Sequence, residues 1–340
     1  MNDGLRVALV GDGPGAARWA SALREGSTVV RDPADLAAGI DALVLAPGLS
    51  DPFARAKEAL LAGVPVLYAA PFLLSPWQAG LLSALSRRQK RLLRFVEPFQ
   101  YRPGFPFLRR LFEGREPFWH PLYLRMLRLE RPGAVSRIDE PAAEELAVCE
   151  ALLGGEARHV SAVAGRWDEL GEVTAVFLTV QYGDGLLVQC TISLAEGTTA
   201  RQLVAATRDR TVIMDDLDPV AALRIVGAGG QELFGDEQAM VSGGMKLVAS
   251  PTVDATMMEA RRFVAAVADG ELSLGNGERW TRVAGLWWAA RQSMAFGGPA
   301  EVPLAPQRGE TEPPPLRVIE GGGKPAQTAS RRPSLTVVSG

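Results

Sequence analysis

Apolar positions along the chain change their rhythm once. Up to about residue 98, short unbroken apolar runs alternate with longer stretches of helical spacing. Leu5-Arg-Val-Ala-Leu-Val10, residues 41–46 and residues 64–67 read as buried strands. Residues 14–25, 51–62 and 75–91 read as helices. Two of these helices open on Asp51-Pro52 and Ser75-Pro76, a cap followed by a proline that needs no partner for its missing N–H, and Gly63 supplies a C-terminal stop. Strand and helix in alternation predict a parallel, doubly wound sheet.

From about residue 99, strand-like runs dominate: 122–129, 159–165, 173–182, 186–194, 202–206 and 211–214. Tyr182-Gly-Asp-Gly185 marks a hairpin turn. Helices are expected at 141–153, 253–268 and 278–296. The pattern predicts an α+β domain on a largely antiparallel open sheet. The expected organisation is a Rossmann-like nucleotide-binding domain at 1–98 and an α+β substrate and dimerisation domain at 99–304, with a tail at 305–340.

The tail is rich in Pro, Gly, Ser and charge, a composition that buries too little apolar surface to order itself. It carries one pattern twice. Leu316-Arg-Val318-Ile319-Glu-Gly321 and Leu335-Thr-Val337-Val338-Ser-Gly340 share Leu-x-Val-(Ile/Val)-x-Gly, each with a proline close ahead. Alternating apolar residues in an extended segment can add to a sheet edge or fill paired pockets, and two copies on one linker raise avidity. Both copies therefore read as partner-docking peptides. They also resemble the C-terminal targeting peptides that load cargo into encapsulin shells.

With 340 residues and 47% apolar composition, the chain can bury a large core, and a net charge of −3 gives no electrostatic case for nucleic acid or a membrane surface. No apolar run reaches the roughly 18 residues of a membrane span, and no leader is apparent, so a cytoplasmic location is expected. Cys149 and Cys190 sit in apolar runs and read as small buried hydrophobes. The only two histidines, His120 and His159, are far apart, and no metal site is expected. Trp280 and Trp287 share a helix face and read as packing.

Gly11-Asp-Gly13-Pro-Gly-Ala16 lies between the first strand and the first helix. Its glycines suit a tight turn and the close approach of a pyrophosphate to a helix N-terminus. Equally, they serve to pack that helix on the sheet. Further on come Asp41-Ala-Leu-Val-Leu-Ala-Pro47, Gly63-Val-Pro-Val-Leu67 and Tyr101-Arg102-Pro103. Val302-Pro-Leu304 closes the last helical region. In this order and spacing the chain resembles the glucose–fructose oxidoreductase, inositol dehydrogenase and MocA family of nicotinamide-dependent oxidoreductases. The resemblance covers about residues 5–304. It implies the two-domain fold, a homodimer, and NAD or NADP held by Gly11, Gly13, Ala16, Asp32 and Pro47.

The family's chemistry is another matter. Its Glu-Lys-Pro motif, whose lysine serves hydride transfer, reads Ala69-Ala70-Pro71 here. Its catalytic histidine, placed by counting back from Leu152-Leu153-Gly154, falls on Glu144. Glu144 would be either a substitute base or an exposed or capping glutamate in an acidic first turn. Tyr101 and Arg102 would orient substrate if the site is active. Only about thirty residues separate Gly11 from Asp41, so one strand, residues 28–31, fills a space where the family has more. Asp32 then stands either as the ribose-binding acid or as the cap of a later helix, with the adenosine strand deleted. The leading expectation is a degenerate, non-catalytic family member that acts as a binding, scaffold or regulatory protein through its tail. An active NAD(P)-dependent sugar or polyol oxidoreductase, and a cargo protein, are the competing readings.

Overall fold

Strand β1 (Leu5–Val10) is buried along its inner four residues and pairs in parallel with two neighbours, β2 (Ser27–Arg31) and β3 (Ala42–Leu45). β4 (Val66–Tyr68) and β5 (Leu93–Phe95) extend the sheet to the order β2-β1-β3-β4-β5, all parallel. In this computed structural model the residues described are 4–33, 39–113, 121–135, 137–165, 173–218, 222–227, 246–247 and 253–303. All of them belong to one compact unit.

Helices cover both faces of the sheet, so its strands are apolar on both sides. Helix α1 (Gly13–Leu23) packs on one face, where Val7, Leu9, Ala42 and Val44 meet Ala16, Trp19 and Leu23. Helices α2 (Pro52–Leu61) and α3 (Pro76–Gln89) follow the other strands. The caps read from sequence are present. The Ala54 N–H donates to Asp51 Oδ1 at 3.0 Å, and Ser75 forms a reciprocal capping box with Gln78.

The second sheet has nine strands in the order β13-β12-β11-β10-β6-β9-β8-β7-β14. Its strands are β6 (Tyr123–Leu129), β7 (Ala157–Ala164), β8 (Ala175–Tyr182), β9 (Leu187–Ser193), β10 (Ala200–Ala206), β11 (Arg210–Asp215), β12 (Leu223–Gly227), β13 (Lys246–Leu247) and β14 (Ala300–Glu301). Pairing is antiparallel except between β6 and β9, so the sheet is mixed but largely antiparallel. The β8–β9 hairpin turns where expected, with Gly185 at φ +91°. Helix α5 (Asp139–Leu153) lies on the inner face of this sheet, and α4 (Phe105–Phe112) packs against α5.

The last two helices do not stay with the second sheet. α6 (Ala255–Ala268) returns to the first one and packs beside α1, with Ala260, Phe263 and Ala266 in the same core as Val7 and Leu9. α7 (Gly277–Phe296) packs on α3, α5 and β7 together. Trp280 and Trp287 are both buried there, Trp280 with its ring 5.8 Å from Phe95 and Trp287 donating from Nε1 to Asp139 Oδ1 at 2.9 Å. Cys149 and Cys190 are buried and free, and Cys149 Sγ lies 3.2 Å from Met126 Sδ. The two tail repeats, with Leu316, Val318, Ile319, Leu335, Val337 and Val338, lie outside the described residues.

Candidate active site

The crevice lies at the carboxyl ends of the parallel strands. Here the chain's glycines divide by what surrounds them. A Cβ on Gly11 (φ +133°) would stand 2.9 Å from the Ala46 carbonyl oxygen, and one on Gly15 would stand 3.3 Å from the Pro47 ring. Both glycines are therefore required by the chain's own packing of the β1 and β3 loops. Gly13 differs, because at φ +76° its missing side chain would meet nothing within 4 Å. It is the glycine that leaves open room beside the start of α1. Ala16 is buried against the sheet and lets α1 approach it closely.

The same loop is short of donors. Pro14 has no N–H in the first turn, where an anion would seek one. Asp12, the N-cap residue, is exposed and makes no capping bond, which sets a carboxylate beside the same helix end.

β2 places Asp32 in the sheet. It pairs directly with β1, from Leu5 opposite Ser27 to Leu9 opposite Arg31. Asp32 follows at its carboxyl end, exposed, with φ +40° and its N–H donated to the Leu9 carbonyl at 3.2 Å. In a doubly wound sheet the strand beside β1 carries the ribose acid. Asp32 thus stands where a ribose acid would lie, while residues 34–38, where a later helix would begin, lie outside the described residues.

Ala70 closes the β4 loop at 9% exposure, and its methyl group offers no chemistry. The 3-10 turn that follows, Pro71–Leu73, packs on α5. Tyr68, just upstream, is wholly buried, and its hydroxyl has no hydrogen bond among the described residues. Burial, reinforced by Asp51, pushes this phenol up, so it stays protonated at neutral pH.

Glu144 is neither exposed nor a cap. It points into a buried cluster of opposite charges. Arg102 Nη2 donates to Glu144 Oε1 at 2.7 Å, and Arg128 Nη1 donates to Glu144 Oε2 at 3.1 Å. Glu145 lies 3.4 Å from Arg128 Nη1, and Asp216 Oδ2 lies 3.1 Å from Arg102 Nε. Arg128 also pairs with Glu130, which Arg201 reaches at 3.4 Å. Burial alone would raise Glu144, but Arg102, Arg128 and Arg201 outweigh it and hold this carboxyl at about 2. A carboxylate so weakly basic takes a proton poorly at neutral pH. Burial wins at Glu145 and at Asp216, and both are pushed up despite the same arginines. The gap bounded by Arg102, Glu145, Arg201 and Asp216 has no room for a water molecule.

Arg102 and Glu144 are thus brought together, but Tyr101 is not. Its hydroxyl lies 3.5 Å from Arg262 Nη1, on the side facing α6. Arg128, Arg201, Glu145 and Asp216 escaped sequence reasoning. One signal was available: Arg128 falls in the inward phase of β6 with Leu124 and Met126, and a charge in that phase must find a buried partner.

No protein-family model matches the chain, and no curated protein matches it. Solved structures do. UDP-N-acetylglucosamine 3-dehydrogenase GnnA from Acidithiobacillus ferrooxidans is 21% identical over 86% of this chain and 98% of its own, with a TM-score of 0.71. GenD2 from gentamicin A biosynthesis, solved in complex with NAD, is 20% identical over 89% of this chain and 98% of its own, at 0.72. Levoglucosan dehydrogenase in complex with NADH is 14% identical over 88% and 99%, at 0.70. These likenesses define the class by fold: a Rossmann-like sheet joined to a mixed, mostly antiparallel one, as in nicotinamide-dependent sugar dehydrogenases.

Proposed function

We propose that this chain is a non-catalytic protein on a dehydrogenase fold, a binding or scaffold component that engages its partner through the C-terminal tail. One observation carries the reading. The position that the family resemblance assigns to a catalytic histidine holds Glu144, whose two oxygens are taken by Arg102 and Arg128. With Ala70 at the position that the family resemblance assigns to the lysine, these two positions offer neither a base of useful strength nor a free cation for a substrate oxygen.

Cofactor binding without turnover is the second element of the proposal. The open space at Gly13 and the placement of Asp32 beside β1 support a residual dinucleotide crevice. GenD2 and levoglucosan dehydrogenase, solved with NAD and NADH, support NAD as the ligand. NADPH is disfavoured, because the Asp32 carboxylate would repel a 2′-phosphate. When bound, the cofactor would supply or accept a hydride. The chain's own residues would hold its phosphates at the start of α1 and its ribose at Asp32.

The test has two parts. Purified protein is titrated with NADH and NADPH by cofactor fluorescence, then assayed with NAD against a panel of sugars, polyols and nucleotide sugars. Saturable NADH binding without turnover supports the proposal. Turnover at rates of about 1 per second or more, the lower end of ordinary enzymes, would overturn it. The tail is tested by deleting residues 305–340. Loss of partner capture or of cellular location, with the rest of the protein unchanged, is the expected outcome. A cargo protein would lose only its location and would keep any activity.

A further inference from the structure

We infer a second ligand site, for a phosphate-bearing small molecule, at the end of the first sheet opposite the dinucleotide crevice. α3 runs back from β4 to the start of β5, so its C-terminal turn reaches the amino ends of the strands. There it meets the N-terminal turn of α7 across an open hollow of about 510 Å³. Five basic side chains line the hollow, Arg87, Lys90, Arg91, Arg279 and Arg282, against the single acid Glu278.

The hollow is more than a basic surface. Asn276, the residue before α7, would ordinarily cap that helix. Instead its side chain is spent on the edge strand β5: Oδ1 accepts from the Phe95 N–H and Nδ2 donates to the Phe95 carbonyl, each at 2.8 Å. The first turn of α7 is therefore left without a side-chain cap, and Gly277, Glu278 and Arg279, whose amides have no intrahelical acceptor, are among the residues lining the hollow.

An independent feature points the same way. Ser83 on α3 is 7% exposed and lines the same hollow, and its hydroxyl makes no hydrogen bond among the described residues. A Cβ added to Gly277 would stand 2.9 Å from that hydroxyl, so the serine faces the helix start directly. A buried hydroxyl, three uncapped amides and a dipole of the right sign form a donor set for a tetrahedral oxyanion.

The charges have prior commitments, and these choose the contacts. Arg279 donates to both oxygens of Glu97, at 3.0 and 2.9 Å, and Arg282 Nε donates to Glu150 Oε2 at 2.7 Å. Arg91 reaches the Gly63 carbonyl. Arg87 holds only the exposed Glu278, and Lys90 is exposed and has no ion pair among the described residues. Lys90, and Arg87 on leaving its exposed partner Glu278, can thus close on an arriving anion, while the three committed arginines supply background potential. The hollow's volume suits a diphosphate or a phosphorylated metabolite.

Calorimetric titration of the full-length protein with inorganic pyrophosphate, at ionic strength held constant with KCl, tests the assignment. One saturable site is expected, weakened about tenfold or more in R87Q/K90Q, since a charge-assisted bond contributes about 1.5–3 kcal/mol. The single variant S83A should also weaken binding and guards against misfolding of the double variant. Saturating NADH, which would occupy the dinucleotide crevice, should leave pyrophosphate binding unchanged. No saturable heat at millimolar pyrophosphate would overturn the proposal. So would wild-type affinity in both R87Q/K90Q and S83A, or displacement of the pyrophosphate by NADH.

Discussion

Arg102 donates to Glu144 across 2.7 Å, and both side chains are largely withdrawn from water. The pair joins the segment after β5 to the helix over the second sheet, at the point where the family resemblance would put catalysis. A buried ion pair stabilises little against an apolar alternative, yet removing one member strands the other. Glu144→Gln should therefore destabilise by about 3–5 kcal/mol in urea unfolding, because Arg102 and Arg128 both lose a partner. The family-like pair Ala70→Lys with Glu144→His should fare no better and gain no turnover. It takes a carboxylate away from Arg102 and Arg128, which keep only Asp216, Glu130 and Glu145 as partners. Expression of that variant with wild-type stability and new dehydrogenase activity would contradict the proposed role of the cluster.

Stability should also pass through a maximum in mild acid. Glu144 is depressed from its ordinary value of 4.5 to about 2, so its stabilisation is present above pH 4.5 and is lost as pH falls towards 2. That loss is on the order of 3 kcal/mol. Glu145, Asp216 and Glu150 have the opposite sign, each raised chiefly by burial. Their folded forms bind protons more tightly than the unfolded chain, so stability rises as pH falls from neutrality towards 4.5. Unfolding free energies measured from pH 7.5 to 3 should rise and then fall. In Glu144→Gln the fall below 4.5 should be blunted. A profile of the same shape in both proteins would remove Glu144 as its cause.

The parts of this fold that follow from local rules were legible, and the parts that need long-range partners were not. Asp51, Ser75, Gly63 and Gly185 act within a few residues of themselves, so caps, stops and the hairpin turn could be read directly. The short strand β5 and helix α4 were missed. Each is too brief to show a period, and β5 exists because β4 and Asn276 bracket it. Glu144 was misplaced for the same reason. Its environment comes from Arg102, Arg128 and Arg201 on three separate segments, and only the phase of Arg128 in β6 hinted at it. Asp32 was ambiguous by spacing alone, and the pairing of β2 with β1 fixes its place in the sheet but not its role.

Asn276 is the most economical test of the edge of the first sheet. Its amide stands in for a missing sixth strand by engaging both backbone groups of Phe95. Asn276→Ala leaves a buried N–H and a buried carbonyl unpaired, which should cost about 2–4 kcal/mol in chemical unfolding. Asn276→Asp keeps the acceptor but loses the donor, so it should lie between the two. Equal stability in all three proteins would mean that water replaces the amide without penalty.

The open face of the second sheet presents Tyr123 beside Leu187 and Val163 beside Phe177, all exposed. Adjacent exposed hydrophobes on a broad sheet fit a second copy of the chain, as the family resemblance implies. Phe177→Asp with Leu187→Asp should shift the protein from dimer to monomer in light scattering, with secondary structure retained. A wild-type monomer would remove this expectation.

Pro14 gives the sharpest test of the crevice. It suits the start of a helix, since its fixed φ costs nothing there, but it takes away an amide that a pyrophosphate would use. The neighbouring Asp12 adds a like charge to the approaching phosphates. If the loop is a dinucleotide cradle, as proposed, it is one with an amide donor fewer. Pro14→Ala restores one N–H towards an anion, a bond of about 1.5–3 kcal/mol, and should tighten NADH binding about tenfold or more. The same change should cost about 0.4–1 kcal/mol of stability, because the unfolded chain regains freedom at residue 14. Tighter binding with lower stability would place the phosphates at the start of α1. Unchanged NADH affinity in Pro14→Ala, with the stability loss present, would mean that NADH does not use this helix.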